Sequence, residues 1–355
     1  MTADDGGIRV VVGDPPPDRR VRRRGWRGAV LPVTLALVVL AAVGATVYDR
    51  TRAPGPSRAL AGLPQRLDPG RPAAVPLRGN PMERARLLLQ PYGSPDVFAL
   101  AGDGSWRRID VVRVEPVTDA GGNVQPALDV TSLSADGRRA AFAQRDEVLV
   151  VDLSDASVQR IPLPGFNDDV RWIGDGLAVA QDGVTFLVVP PDGVPVELTG
   201  AGRDVVVVDE AAIAALSLDA AHRPVLRRWG PDGPGAPRYF DGAGVLYAWD
   251  GPGWQRGRVI ARGALEAIGA VDAPAGAFPY RVVLIDLASG VARYSPGPAP
   301  MPPDKAQLLG WRDADTLLVA VERQRIMAYD VTTGAGTELA VLAAESGVLS
   351  LSQRF

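Results

Sequence analysis

The feature that most constrains this 355-residue chain is a strand-and-turn word that returns from residue 82 onward. "VLVVDLSDAS" at 148–157 has counterparts in "VVLIDLASG" at 282–290 and "IMAYDVTTG" at 326–334, with Asp152, Asp286 and Asp330 at one shared place. A tighter version puts Ala101, Pro190 and Gly230 there: "VFALAGDG" at 97–104, "FLVVPPDG" at 186–193 and "LRRWGPDG" at 226–233. The six places recur about every 46 residues. An apolar run entering an Asp/Gly turn is a strong hairpin signal. The repeated Asp is therefore read as a turn-former and not as a ligand.

A second set of words precedes the first. "DVTSLSADG" at 129–137, "DVRWIGDG" at 169–176, "VLYAWDGPG" at 245–253 and "QLLGWRDAD" at 307–315 are its members, with "RDVVVVDE" at 203–210 the weakest. Trp172, Trp249 and Trp311 stand just before the turn in three of them. A Trp side chain buries about 150–250 Å², so a Trp at a recurring position is read as packing between neighbouring units. Each repeat offers four short strands, placed in the second unit at 129–134, 139–144, 147–153 and 158–163. Units of this size in a ring are a β-propeller. Residues 82–113 supply only the last three strands of a unit, and the closing stretch "GVLSLSQRF" shares "SLS" with strand 129–134. Residues 347–353 are thus expected to pair with 84–90 and close six four-stranded antiparallel blades. The one irregularity is an insertion at 263–279 in the fifth blade, read as a surface excursion or a function-specific loop.

The word at 134–152 resembles the repeat of the TolB-like, WD-repeat-like propeller family through Ser134, Asp136, Gly137, Ala141, Phe142, Val150, Val151 and Asp152. Ala135 stands where that repeat usually carries Pro. The resemblance implies the fold and brings no active site with it.

Ahead of the repeats, Gly28–Tyr48 contains no charge. As a helix it covers roughly 31 Å, the hydrocarbon thickness of a bilayer. The rival reading is a cleaved signal peptide with Val43-Gly44-Ala45 as its processing site. The length of the apolar run and the long acidic-containing segment before it favour an uncleaved anchor. Arg19, Arg20, Arg22, Arg23, Arg24 and Arg27 precede the span, and positive charge concentrates on the cytoplasmic side. The expected order is a disordered cytoplasmic tail at 1–27, a transmembrane helix at 28–48, a Pro-rich linker at 49–81 and an extracytoplasmic all-β propeller at 82–355. The linker is read as an extended stalk, so that deleting 55–75 leaves folding unchanged.

Chemistry-bearing residues are sparse. The chain has no Cys and one His, which removes thiolate nucleophiles and Cys-based zinc sites. His222 lies in the turn-rich "DAAHRP" and makes a poor triad base. "DGSW" at 103–106 and "DADT" at 313–316 lack the ligand spacing of a calcium loop. "GPGWQRG" at 251–257 does not fit a dinucleotide fingerprint. A formal charge of −3 gives no global signal for nucleic acid. No catalytic, cofactor or metal residue is assigned. The expectation is a membrane-anchored, non-enzymatic binding module whose partner is a protein or small envelope ligand. The alternative is an extracytoplasmic hydrolase or lyase using Asp or Glu on the channel face. A carboxylate cluster at the channel mouth would favour the alternative.

Overall fold

The computed structural model describes residues 63–353 apart from 71–73, 119–121, 123, 182–183, 189–192, 199–204, 209–211, 231–232, 244–245, 267–279, 299–300, 302–305 and 344–345. The tail, the apolar span at 28–48 and about half of the linker fall outside the described residues. The chain is all-β among the described residues, and its principal sheets form a six-bladed propeller.

Letters a to d denote strands from the channel outward. Blade 2 has b (Arg139–Gln144), c (Glu147–Asp152) and d (Val158–Pro162). Its strand a is reduced to a bridge between Leu133 and Ala140. Blade 3 runs Asn167–Ile173, Gly176–Gln181, Val184–Val188 and Val196–Leu198. Blade 4 begins Val205–Val208, Ala212–Leu218 and Pro224–Gly230, with Gly233–Pro234 and Arg238–Tyr239 outermost. Blade 5 comprises Leu246–Arg256, Val259–Glu266, Tyr280–Asp286 and Val291–Tyr294. Blade 6 comprises Ala306–Trp311, Thr316–Val321, Arg325–Asp330 and Gly336–Leu342. Blade 1 holds Ala85–Pro91, Phe98–Ala101 and Trp106–Arg108 as b, c and d. Residues 263–266 of the expected insertion belong to strand b of blade 5. They can, because Gly263, Ala264 and Leu265 continue the ladder opposite Val282, Arg281 and Tyr280. The remainder lies outside the described residues.

The closure is observed. Gly347–Leu351 is strand a of blade 1, antiparallel to Ala85–Pro91, with Leu349 opposite Leu89 and Leu351 opposite Leu87. Ser350 lies fully buried in the joint with blade 2. Its Oγ accepts from Leu133 N at 2.9 Å and donates to Val130 O at 2.9 Å.

A second closure was not expected. Within the linker assigned to 49–81, Arg66–Leu67 pairs in parallel with Val341–Leu342 on the outer edge of blade 6. Val75–Pro76 pairs in parallel with Arg107–Arg108 on the outer edge of blade 1. Leu67 and Leu77 are buried at 1% and 0% exposure. The reason is physical: the outer strand of any blade offers unpaired backbone groups, and two leucines give the passing chain an apolar grip. Residues 63–70 and 74–81 are therefore part of the folded body, a strap lying along the outer edges of blades 6 and 1 at their seam.

The "SADG" word owes its Gly to packing. Gly137 has φ +75, and a Cβ there would stand 2.2 Å from Ala85 O. The turn also locks onto blade 1 through a hydrogen bond from Ala85 N to Gly137 O at 2.7 Å. Gly137→Ala combines a left-handed backbone with a backbone clash, and we expect a loss of about 2–4 kcal/mol in chemical denaturation. A loss below about 0.5 kcal/mol would contradict this packing.

Candidate functional site

The recurring polar words resolve first into structure. Asp152 Oδ1 accepts from Ser154 N at 2.8 Å and Ser154 Oγ at 2.6 Å. Asp286 accepts from Ala288 N at 2.8 Å, and Asp330 from Thr332 N and Thr333 N at 2.8 and 2.7 Å. These are turn-formers, as read. Asp103 of "DGSW" and Asp313 of "DADT" cap their own turns in the same way. His222 is exposed in a turn with φ 58. No group of three or more potential metal-ligating side chains is gathered among the described residues.

Two of the three Trp behave as inter-blade packing. Trp172 Nε1 donates to Ser132 O of blade 2 at 2.9 Å, and Trp311 Nε1 to Trp254 O of blade 5 at 2.7 Å. In blade 5 the role falls to Trp254, whose Nε1 reaches Leu308 O of blade 6 at 3.3 Å. Trp249 is half-buried and stacks under Arg262 at 5.1 Å. "DGPG" is a bulge inside strand a, with a register shift between Asp250 and Gly253, and the hairpin turn comes later at Gly257. A Gly-rich word can bend a strand as well as end it.

The site that emerges is a cavity of about 380 Å³ at the mouth of the central channel. It lies on the face where strands a begin and strands b turn into c. Asp129 and Asp169 line it from the starts of the channel strands of blades 2 and 3, joined by Asp168. Tyr92 of blade 1 and Arg323 of blade 6 complete the rim. The Asp129 and Asp169 carboxyls lie close enough to act on each other. Burial raises the Asp129 carboxyl well above the usual range, and the neighbouring Asp169 charge raises it further. Asp169 Oδ1 is shielded from solvent with no hydrogen-bond partner among the described residues.

Arginines bar the channel behind this pair. Arg171 of blade 3 donates to Gly253 O of blade 5 and stacks over Trp254 at 5.5 Å. A link between those two blades passes in front of blade 4, so Arg171 spans the channel. Burial lowers its pKa to about 10, against the favourable field of Asp169. Arg262 of blade 5 donates to Leu216 O at 2.6 Å and Gly251 O at 3.1 Å. Burial raises the Asp250 carboxyl, with Arg262 and Arg323 partly offsetting it. Arg323 and Glu322 are the central residues of the β-turn closed by Gln324 N on Val321 O, at φ 55 and φ 53. Such a turn requires positive φ at both positions, and it holds the guanidinium 5.0 Å over the Tyr92 ring.

Sequence reading missed the Asp pair, although its signal was present. The words at 129 and 169 both open with Asp-Val, and adjacent blades bring equal repeat positions side by side. It also missed a Gln at the end of strand b in three blades. Gln90 accepts from Leu128 N at 2.8 Å, Gln144 from Glu115 N at 2.9 Å, and Gln181 donates to Pro164 O at 2.6 Å. These fix two crossover segments, and the one between blades 1 and 2 lines the cavity through residues 124–128.

The ring, the barred channel and the loop-built mouth define a six-bladed β-propeller. No family model matches the chain, and no curated protein matches it. Among solved structures it is similar to Kuenenia stuttgartiensis hydrazine synthase at 15% identity, covering 79% of each chain, with a TM-score of 0.46. The Neurospora crassa Pan2 WD40 domain is similar at 15% identity, with 74% of this chain and 78% of that one covered and a TM-score of 0.47. BamB from Moraxella catarrhalis follows at 13% identity, 73% and 70% coverage and a TM-score of 0.39. Nothing about the site rests on these likenesses.

Proposed function

We propose that the chain is a single-pass, membrane-anchored propeller that holds a binding face outside the cytoplasm. The observation that carries the binding reading is the charged cavity at the mouth of a channel barred by Arg171. Loops and strand starts from several blades converge there, the usual setting for recognition on a rigid scaffold. The location rests on the uncharged span and the Arg cluster before it. Kinship with TolB-like propellers rests on the 134–152 word alone.

A second reading has one observation in its favour. Two neighbouring carboxyls, one with a raised pKa, are the equipment of acid–base hydrolysis. The two readings separate in the cell. A photo-cross-linking residue at Val124, 68% exposed on the cavity rim, should trap one discrete protein adduct. The same residue at Arg160 on the outer edge of blade 2 should not. A phosphatase fused after Phe355 should be active outside the cytoplasm. No adduct from the rim, together with hydrolytic turnover that Asp129→Asn abolishes, would replace the first reading by the second.

A further inference from the structure

We propose that the outer gap between blades 3 and 4 is a second docking surface, which takes an extended segment of a partner protein carrying a large apolar residue beside a carboxylate. It lies on the circumference of the ring and does not depend on the channel mouth.

Elsewhere on the circumference the chain covers its own outer edges. Arg66–Leu67 lies on blade 6 and Val75–Pro76 on blade 1, both in parallel. On blade 5, Asp241 bridges in parallel to Val291, and Ala292 N donates to Asp241 O at 2.8 Å. Each covering segment turns one large apolar side chain inward, and Leu67, Leu77 and Phe240 are all buried. Blade 2 ends on an open edge, but its Ile161 and Leu163 are buried with residues of blade 3. Blade 3 differs from all of these. No strand is paired outside its Val196–Leu198 among the described residues, and its apolar side chains are left in view.

Register settles which way they face. Val196 stands opposite Leu187 and Leu198 opposite Thr185, and residues directly opposite share a face of the sheet. Leu187 is buried with Ala215 and Trp229 of blade 4, and Leu198 packs half-buried against them. Val196 and Leu198 therefore look toward blade 4, with Val194 two residues ahead and held extended by Pro195. From the other wall Arg227 stands opposite Ala215, and Tyr239 opposite Val225, so both look toward blade 3. Val194 is 66% exposed and Tyr239 49%. They are two of the five large apolar side chains that stand exposed among the described residues, and they flank one gap.

Charge selects the occupant. Arg227 is exposed and makes no ion pair among the described residues. Arg223, on the same strand-end, lies over the Tyr239 ring at 5.4 Å and is paired with Asp219. Glu197 stands opposite Phe186, which packs toward blade 2, so that carboxylate faces away from the gap. An apolar slot with a free guanidinium on one wall and an open strand edge on the other suits an extended segment with a carboxylate. The chain's own residues 51–62 carry Arg52 and Arg58 and no acid. A second copy docked through the same slot would bring Arg227 against its own counterpart.

The experiment uses the purified full-length protein and the peptide acetyl-Glu-Val-Pro-X-Gly-amide, where X is photo-leucine. Its Val-Pro-Leu word is the one that residues 75–77 lay on blade 1. The control has Lys in place of Glu. Mapped by mass spectrometry, the Glu peptide should label residues 185–198 and 224–239, at least about threefold more strongly than the Lys peptide. Arg227→Glu alters an exposed side chain and should reverse that preference. Labelling outside the gap, or a preference unchanged in the variant, overturns the proposal. In cells, a photo-cross-linking residue at Val194 should trap a partner segment whose mapped sequence holds an apolar residue next to an acid. An adduct with a second copy or with residues 1–62 of this chain, or no adduct, overturns it. The rim cross-link at Val124 is read separately, so failure at Val194 leaves the channel-mouth reading where it stands.

Discussion

Removing Leu349–Phe355 should leave almost no soluble, cooperatively folded protein. The deletion takes most of strand a of blade 1. Leu349 and Leu351 are each 1% exposed, and Ser350 bridges to blade 2 from a fully buried position. Burial of the two leucines alone is worth about 3–6 kcal/mol. The loss also uncovers the inner edge of Ala85–Pro91, whose backbone partners are gone. Whole domains of this kind have only about 5–15 kcal/mol in hand. The measurement is the soluble yield and the thermal transition of the truncated chain. A transition at the wild-type temperature would refute the closure and the blade count together. Ser350→Ala gives the graded version: it leaves Leu133 N and Val130 O unpaired and should cost about 1–3 kcal/mol.

The second large effect reverses an expectation drawn from composition. A deletion through 55–75 was expected to be silent, because the segment reads as a Pro-rich stalk. It removes Arg66–Leu67 from the edge of blade 6 and the start of the strand on blade 1. Leu67 and Leu77 sit in two separate apolar clusters, one shared by blades 5, 6 and 1 and one by blades 1 and 2. Loss of a buried Leu costs about 2–5 kcal/mol. The double change Leu67→Ala, Leu77→Ala should therefore lower Tm by roughly 10–20 °C, and deletion of 63–77 should do at least as much. Deletion of 55–62 is the control and should leave Tm in place. Equal Tm for both deletions would mean that the strap is an ornament on the seam.

These cases mark where the sequence was readable. Hairpins announced themselves because an Asp or Gly turn after an apolar run has a mechanism, and Asp152, Asp286 and Asp330 carry it out as read. The closing strand was readable because its "SLS" repeats that of blade 2. The strap was not, since strands of two residues have no period to detect and Pro dominates their surroundings. Trp249 was mistaken for Trp254 because a bulge at Asp250–Gly253 mimics a turn. The Asp pair needed the ring as well as the words. Asp129 and Asp169 lie 40 positions apart in the chain and meet only because consecutive blades stand side by side. Repetition, which makes such folds easy to recognise, also brings like charges together. An acid at the start of one channel strand is harmless until the next unit carries it too.

The seam has a kinetic side as well. Blades 2 to 5 join neighbours in sequence, so each can form as soon as its own hairpins do. The seam instead joins Ser352 to Arg86 across 266 positions. The entropic cost of so long a loop grows only with its logarithm, so the finished ring suffers little, but the search is slow and comes last. Until it succeeds, blade 1 shows a raw inner edge and the strand 347–351 is unattached. A second chain in the same condition offers the identical edge. At high concentration, refolding should therefore divide between monomers and strand-exchanged dimers, with dilution favouring the closed ring.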